Sequence, residues 1–224
     1  MAKDYGYELA KIALDVGAIK LRPNDPFTWA SGYRMPIYND NRLLLGSASH
    51  RALVAEGFEY LIGARGIRVD VIAGTATAGI PPATTLADRL KLPLVYIRDK
   101  PKEHGMRNQI EGIDGDKSLE GRSALVVEDL ISTGGSSFKA VEAARAADGQ
   151  VSHLFSIFNY GLAEAAKLFS DGNCEVHSLL WYPALLEVAK VEGRIIPADM
   201  AVLEEWRLDP FNWGEKRGFP KKQK

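Results

Sequence analysis

Ala124-Leu-Val-Val-Glu-Asp-Leu-Ile-Ser-Thr-Gly-Gly-Ser-Ser137 is the stretch around which the chain is organised. Residues 124–127 form a short apolar, β-branched run, the pattern of a strand buried on both faces. Glu128 and Asp129 emerge at its carboxyl end, and two adjacent carboxylates can accept hydrogen bonds from two vicinal hydroxyls. Ser132-Thr-Gly-Gly-Ser136 then leads into a helix expected over residues 135–147. Small residues let the backbone approach an anion, and free N–H groups with the helix dipole favour negative charge there. Together these parts suit a sugar phosphate. The plain alternative is a helix cap supplied by Ser132 or Thr133. No lysine follows the glycines, which excludes a Walker A loop, and the dinucleotide pattern Gly-x-Gly-x-x-Gly does not occur.

Outward from this stretch the chain alternates strands and helices. Upstream, a strand at residues 69–73 runs into the small-residue turn Gly74-Thr-Ala-Thr-Ala-Gly79, a second anion cradle whose plain reading is a tight turn. A helix at 82–90 and a strand at 94–97 follow, then a long glycine-containing loop over 98–117. Loops of that length in a domain are usually functional or disordered. Downstream come a strand at 151–158, a helix at 162–169, a strand at 176–181 and helices at 183–191 and 198–208. Near the N-terminus, Leu9, Ile12, Ala13 and Val16 share one helical face, and residues 47–62 read as a second helix. The alternation predicts an α/β fold, a parallel sheet flanked by helices on both faces. Loops after Ala73, Ile97 and Val127 should lie along one edge of that sheet, where ligands bind near a switch in strand order. No repeat or linker interrupts the chain. It reads as a single domain, 1–224, with a small hood built from about residues 1–45; the C-terminal segment is a candidate addition to the hood, and the pattern alone does not assign its helices.

Composition narrows the function classes. Hydrophobic residues make up 46% and the net charge is −1, so no overall field would draw the chain to nucleic acid or an anionic membrane. Any anion must be held by local charge. Cys174 is the only cysteine, which excludes an intrachain disulfide and suits a reducing cytoplasm. The N-terminus is polar where a signal peptide would be apolar, and no apolar run approaches a membrane span. His50, His153 and His177 are scattered, share no metal-ligand spacing and read as structural. Trp206 and Trp213 read as packing residues, and the basic tail at 216–224 as a frayed, solvated end.

A second constellation is Arg98-Asp-Lys-Pro-Lys-Glu-His-Gly105. In an extended segment Arg98, Lys100, Lys102 and His104 face one way, a comb of donors for a polyanion. A third is the aromatic and polar stretch Phe27-Thr-Trp-Ala-Ser-Gly-Tyr-Arg-Met-Pro-Ile-Tyr-Asn-Asp-Asn-Arg42, read as short strands and turns.

Residues 126–136 resemble the phosphoribosyl-pyrophosphate (PRPP) motif of type I phosphoribosyltransferases. Arg98, Lys102, His104 and Gly105 are similar to the closing loop of the orotate phosphoribosyltransferases within that family. Ser31-Gly32, Pro36, Tyr38, Asp40 and Arg42 match their N-terminal segment, which sets them apart from purine relatives. The chain departs from some members at Ala30, Met35, Ala78 and Asp99. The resemblance implies transfer of ribose 5-phosphate from PRPP to orotate, giving orotidine 5′-monophosphate and pyrophosphate in pyrimidine synthesis.

For PRPP the resemblance implies Arg98, Lys100, Lys102, His104, Glu128, Asp129, Leu130, Ile131, Ser132, Thr133, Gly134, Gly135 and Ser136, with Thr75 and Ala76 of the upstream turn. Lys102, His104 and Asp129 would be catalytic, and Ser132, Ser31, Gly32 and Tyr38 would touch orotate. Mg2+ is expected to arrive bound to PRPP rather than on protein ligands. A homodimer is implied, with the 98–117 loop acting in the neighbouring active site. A purine phosphoribosyltransferase and a non-catalytic PRPP-sensing regulator are the alternatives. The intact loop argues against both, and there is no room before Phe27 for a winged-helix domain.

Overall fold

The computed structural model describes residues 3–99, 109–113 and 118–222. In chain order the elements are α1 (Tyr5–Asp15), β1 (Ile19–Leu21), β2 (Phe27–Thr28), β3 (Arg34–Met35), β4 (Ile37–Asn39), a 3-10 turn (Asn41–Gly46), α2 (Ala48–Arg65), β5 (Val71–Thr75), α3 (Ile80–Leu90), β6 (Leu94–Ile97) and β7 (Ile110–Glu111). Then follow β8 (Ala124–Ile131), α4 (Gly135–Ala146), β9 (His153–Asn159), α5 (Ala163–Asp171), β10 (Glu175–Trp181), α6 (Tyr182–Val191), α7 (Pro197–Leu208) and α8 (Trp213–Lys216). They group into two units, Ser47–Leu179 and the combination of Met1–Gly46 with Leu180–Lys224.

The first of these units carries the sheet, in the order β10-β9-β8-β5-β6-β7. β5 pairs parallel with both β6 and β8, and β8 pairs parallel with β9. The two-residue β7 is antiparallel to β6, so the expected parallel sheet has one reversed strand at its edge. β5 is buried at every position, which explains its unbroken apolar run. The core gathers Val71, Ala73, Val95, Val126, Val141 and Leu154, with Phe169 beneath the start of α4. From β5 the chain moves to β6 on one side, and from β8 to β9 and β10 on the other. The order therefore switches between β5 and β8, the place where crossovers diverge and leave a crevice.

β8 is longer than its composition predicts. A run of charge after Val127 reads as the end of a strand, yet pairing with β9 continues through Glu128↔Ser156, Leu130↔Phe158 and Ile131↔Asn159. On the other side, pairing with β5 stops at Gly74↔Val127. Residues 128–131 thus keep one hydrogen-bonded neighbour and overhang the end of β5.

In the second unit α1 starts at the Asp4 cap, whose carboxylate accepts from the Tyr7 N–H at 3.0 Å, and packs on α6. β1 pairs with β4 and β2 with β3, both antiparallel. Trp206 lies at the centre of this unit, 1% exposed. Its indole N–H donates to Met35 Sδ, and its ring packs against Tyr182 and Trp29. The basic end is not frayed as far as Lys222. Phe219 stacks on Trp213, Arg34 lies over Phe219, and the Lys222 N–H donates to the Gly32 carbonyl at 3.0 Å. Apolar anchors between the charges outweigh the solvation of the lysines.

Candidate active site

The crevice at the β5/β8 switch is a cavity of about 250 Å3. Its walls are the ends of three strands: residues 75–78 after β5, residues 97–99 after β6 and Glu128, Asp129 and Leu130 of β8. Ser136, Lys139 and Ala140 close it from the first turns of α4. Both small-residue turns and the acid pair thus converge at one carboxyl edge.

Each part is held by a local cause. Glu128 is 7% exposed; its carboxylate accepts from the Ser137 hydroxyl at 3.0 Å and from the Asp129 N–H at 2.9 Å. Asp129 is half-buried beside it. Burial first, then the hydrogen bond to Glu128 and its charge, push the Asp129 carboxyl up to about 8 from 3.8. The turn after β8 bends at Gly134, with φ +82°, and an added Cβ there would meet Phe169 Cε2 at 2.8 Å. The turn after β5 closes just as tightly. A Cβ on Gly79 would lie 2.2 Å from Thr75 Oγ1 and 2.5 Å from the Val127 carbonyl oxygen. The Ala76–Thr77 peptide within that turn is cis.

Not every residue singled out by the motifs reaches the cavity with its side chain. Ile131 is fully buried and belongs to the core, so only its backbone is available to a ligand. The Thr75 hydroxyl is turned inward and donates to the Val127 carbonyl at 3.3 Å. Ser132 and Thr133 are half-buried in the turn, Gly134 is buried, and Gly135 begins α4 with Ser136 exposed behind it. Arg98 lines the cavity and pairs with Glu111 of β7 at 3.3 Å, while Gln109 Nε2 donates to the Arg98 carbonyl at 2.8 Å. Lys100, Lys102 and His104 lie outside the described residues. Ser31, Gly32 and Tyr38 sit in the unit that holds Trp206. There Ser31 and Tyr38 are exposed, and Gly32 adopts φ +85° beneath Lys222. Lys139 was not among the candidates. An exposed lysine in the first turns of a helix reads as a solvated face, and only the placement of α4 brings it to the cavity.

A phosphoribosyl transferase domain model matches residues 50–175, nearly the whole sheet-bearing unit. The orotate phosphoribosyltransferase of Listeria monocytogenes serotype 4b (strain F2365) is 47% identical over 208 residues, covering 93% of this chain and 98% of that protein. The chain belongs to the orotate phosphoribosyltransferase family. The enzyme of that name from Bacillus cereus (strain B4264) is 48% identical over 205 residues, 92% of this chain and 96% of its own length. Among solved structures, orotate phosphoribosyltransferase from Aeropyrum pernix superposes with a TM-score of 0.69 at 32% identity, covering 83% of this chain and 98% of that one. The similarity to these relatives extends beyond the matched domain, over 92–93% of this chain. No described helix is long and apolar enough to cross a membrane.

Away from the cavity the histidines depart from expectation. His153 and His177 are not scattered: their rings lie 5.4 Å apart, with Glu175 beside both. The spacing is invisible along the chain because β9 and β10 are brought together only by the sheet. Burial, helped by the charges of Arg65 and His153, lowers His177 to about 4.

Proposed function

We propose that this chain transfers ribose 5-phosphate from PRPP to orotate, releasing pyrophosphate and forming orotidine 5′-monophosphate, in the cavity at the ends of β5, β6 and β8. The observation that carries the reading is the overhang of β8. It sets Glu128 and Asp129 at the mouth of the cavity beside the 132–136 turn, in a member of the orotate phosphoribosyltransferase family.

Each part then has a task. Glu128 and Asp129 hydrogen-bond the ribose diol, and the negative charge carried by the pair favours the positive charge that develops on the sugar ring. The turn at residues 132–136, with the N-terminus of α4, holds the 5′-phosphate. The 75–78 turn offers backbone groups to pyrophosphate, with Arg98 and Lys139 as cations at the rim. Lys100, Lys102 and His104 add charge to the leaving group when the loop closes. Ser132, with Ser31, Gly32 and Tyr38 of the hood, contacts orotate. The orotate nitrogen forms its bond to the anomeric carbon as the bond from that carbon to pyrophosphate breaks. The electron pair leaves with pyrophosphate, and the nitrogen loses its proton.

Mg2+ fits as a companion of PRPP. Among the described residues, no group of three carboxylate or imidazole ligands converges on the cavity, so this ion would be held mainly by phosphate oxygens and water. When bound, it supplies neutralisation of the pyrophosphate charge. We read the working form as a cytoplasmic homodimer in which the 98–117 loop serves the neighbouring site.

The decisive assay is pyrophosphate release from PRPP with orotate, uracil and hypoxanthine side by side. Release with orotate alone is expected; equal or faster release with hypoxanthine would refute the assignment. Mixing Lys102→Ala with Asp129→Asn subunits should restore part of the activity. No recovery in verified mixed dimers would rule out a loop acting across subunits.

A further inference from the structure

We infer that His153, Glu175 and His177 form a binding site for one divalent transition-metal ion of the zinc–nickel class at the amino-terminal edge of the sheet. His153 is the first residue of β9 and Glu175 the first of β10. Glu175 and His177 are two apart on one strand, so both side chains leave the same face of the sheet. His153 reaches them from the neighbouring strand.

The distances are those of ligands, not of a packed pair. His153 Nδ1 lies 3.4 Å from His177 Nε2, His177 Nε2 lies 3.5 Å from Glu175 Oε2, and His153 Nδ1 lies 3.9 Å from Glu175 Oε2. The nearest point equidistant from these three atoms lies in their plane, about 2.1 Å from each, the bond length of zinc to imidazole nitrogen and carboxylate oxygen; drawing the exposed Glu175 carboxylate a few tenths of an ångström closer lifts that point out of the plane toward tetrahedral geometry. A nitrogen–nitrogen separation of 3.4 Å is long for a hydrogen bond but suits adjacent vertices of a tetrahedron. The rings are tilted by 35° with centroids 5.4 Å apart, so they are not stacked face to face.

The surroundings support the same reading. His177 is 7% exposed and braced edge-on by Phe155, which fixes one imidazole before any ion arrives. Glu175 is exposed and free to close on the ion. On the side of His153 lies a cavity of about 160 Å3, lined also by Ser152, Gln150 and Arg68, which admits solvent to that imidazole. The charge of Arg65 opposes a cation here, and the Glu175 carboxylate offsets it. Two imidazoles and one carboxylate favour zinc, nickel or copper, and disfavour magnesium and calcium, which need oxygen cages. The site is at the opposite end of the strands from Glu128 and Asp129, so it does not belong to the cavity chemistry. An ion there would tie together the starts of two neighbouring strands.

The test uses the untagged full-length chain, stripped with a chelator, without PRPP or Mg2+. Titration with ZnCl2 by calorimetry should show one equivalent per chain, and CoCl2 should give the visible absorption of a tetrahedral N/O site. Glu175→Ala, at an exposed position, and His153→Ala should each weaken zinc by roughly 10- to 100-fold or more, because loss of a direct ligand exceeds loss of an outer-shell partner. Both variants should keep the metal-free far-UV spectrum and unfolding midpoint. Zinc should raise the midpoint of the wild type and not of the variants. The site is refuted if the wild type takes up no stoichiometric zinc, if uptake is unchanged in both folded variants, or if Mg2+ displaces zinc at equal concentration.

Discussion

Replacing Asp129 by asparagine should make the unliganded protein more stable as pH rises while abolishing its use of PRPP. In the folded chain the Asp129 carboxyl titrates near 8, against 3.8 for the ordinary group, because it is buried against Glu128. Between those values the folded state holds a proton that the unfolded state has released. The contribution to stability is therefore fully present below pH 3.8 and is lost as pH rises through 8. Each pH unit in that window is worth about 1.4 kcal/mol at most. Solvent reaching a half-buried, hydrogen-bonded side chain reduces the total to roughly 2 kcal/mol. Asparagine cannot ionise and escapes this loss. Urea unfolding of both proteins across about pH 5 to 9 should show the variant gaining on the wild type with rising pH and levelling off above the Asp129 titration. A parallel pH dependence for the two proteins, or a variant less stable at the alkaline end, would refute the idea that burial against Glu128 raises the Asp129 titration. A stability gain with an activity loss is the pattern of a group retained for function at the expense of the fold.

Other consequences follow from the packing. Gly79→Ala places a methyl group against Thr75 Oγ1, the Val127 carbonyl and the Thr75 backbone nitrogen, so that backbone must shift, and should cost about 1–3 kcal/mol in urea unfolding. An unchanged midpoint would show that the turn after β5 is looser than its contacts imply. Arg145 donates to the carbonyls of Val151 at 3.1 and 2.6 Å, Gly172 at 2.7 Å and Asn173 at 2.9 Å. Arg145→Ala should destabilise by about 2–4 kcal/mol with those acceptors stranded, and Arg145→Lys should recover only part of it. The Cys174 thiol is 5% exposed and pushed up to about 11 by burial, so a thiol reagent should label it only after unfolding. Rapid labelling of the native protein at neutral pH would contradict its place in the core.

Much of the site was legible because its chemistry is written in contiguous residues. The acid pair, the small-residue turns and their order of appearance need only local rules: apolar β-branched runs make buried strands, and glycines and hydroxyl residues open helices. What failed locally failed for tertiary reasons. Glu128 to Ile131 looked like a loop because charge ends most strands, yet β9 runs alongside them to Asn159. Lys139 carries no local signal, and only the placement of α4 brings it to the cavity. The lysine-rich end looked frayed because Phe219 meets Trp213 only after the chain has folded back on itself.

The sequence by itself determined the alternation of strands and helices, the family resemblance, and the acid pair and small-residue turns that the fold gathers at one edge of the sheet, since each of these is encoded within a dozen neighbours. Only the tertiary structure decided that β8 outruns β5, that Asp129 titrates near 8, and that His153 faces Glu175 and His177. The reason is physical: strand register, burial and the distance between side chains far apart in the chain are properties of pairing across the sheet, and no local pattern contains them.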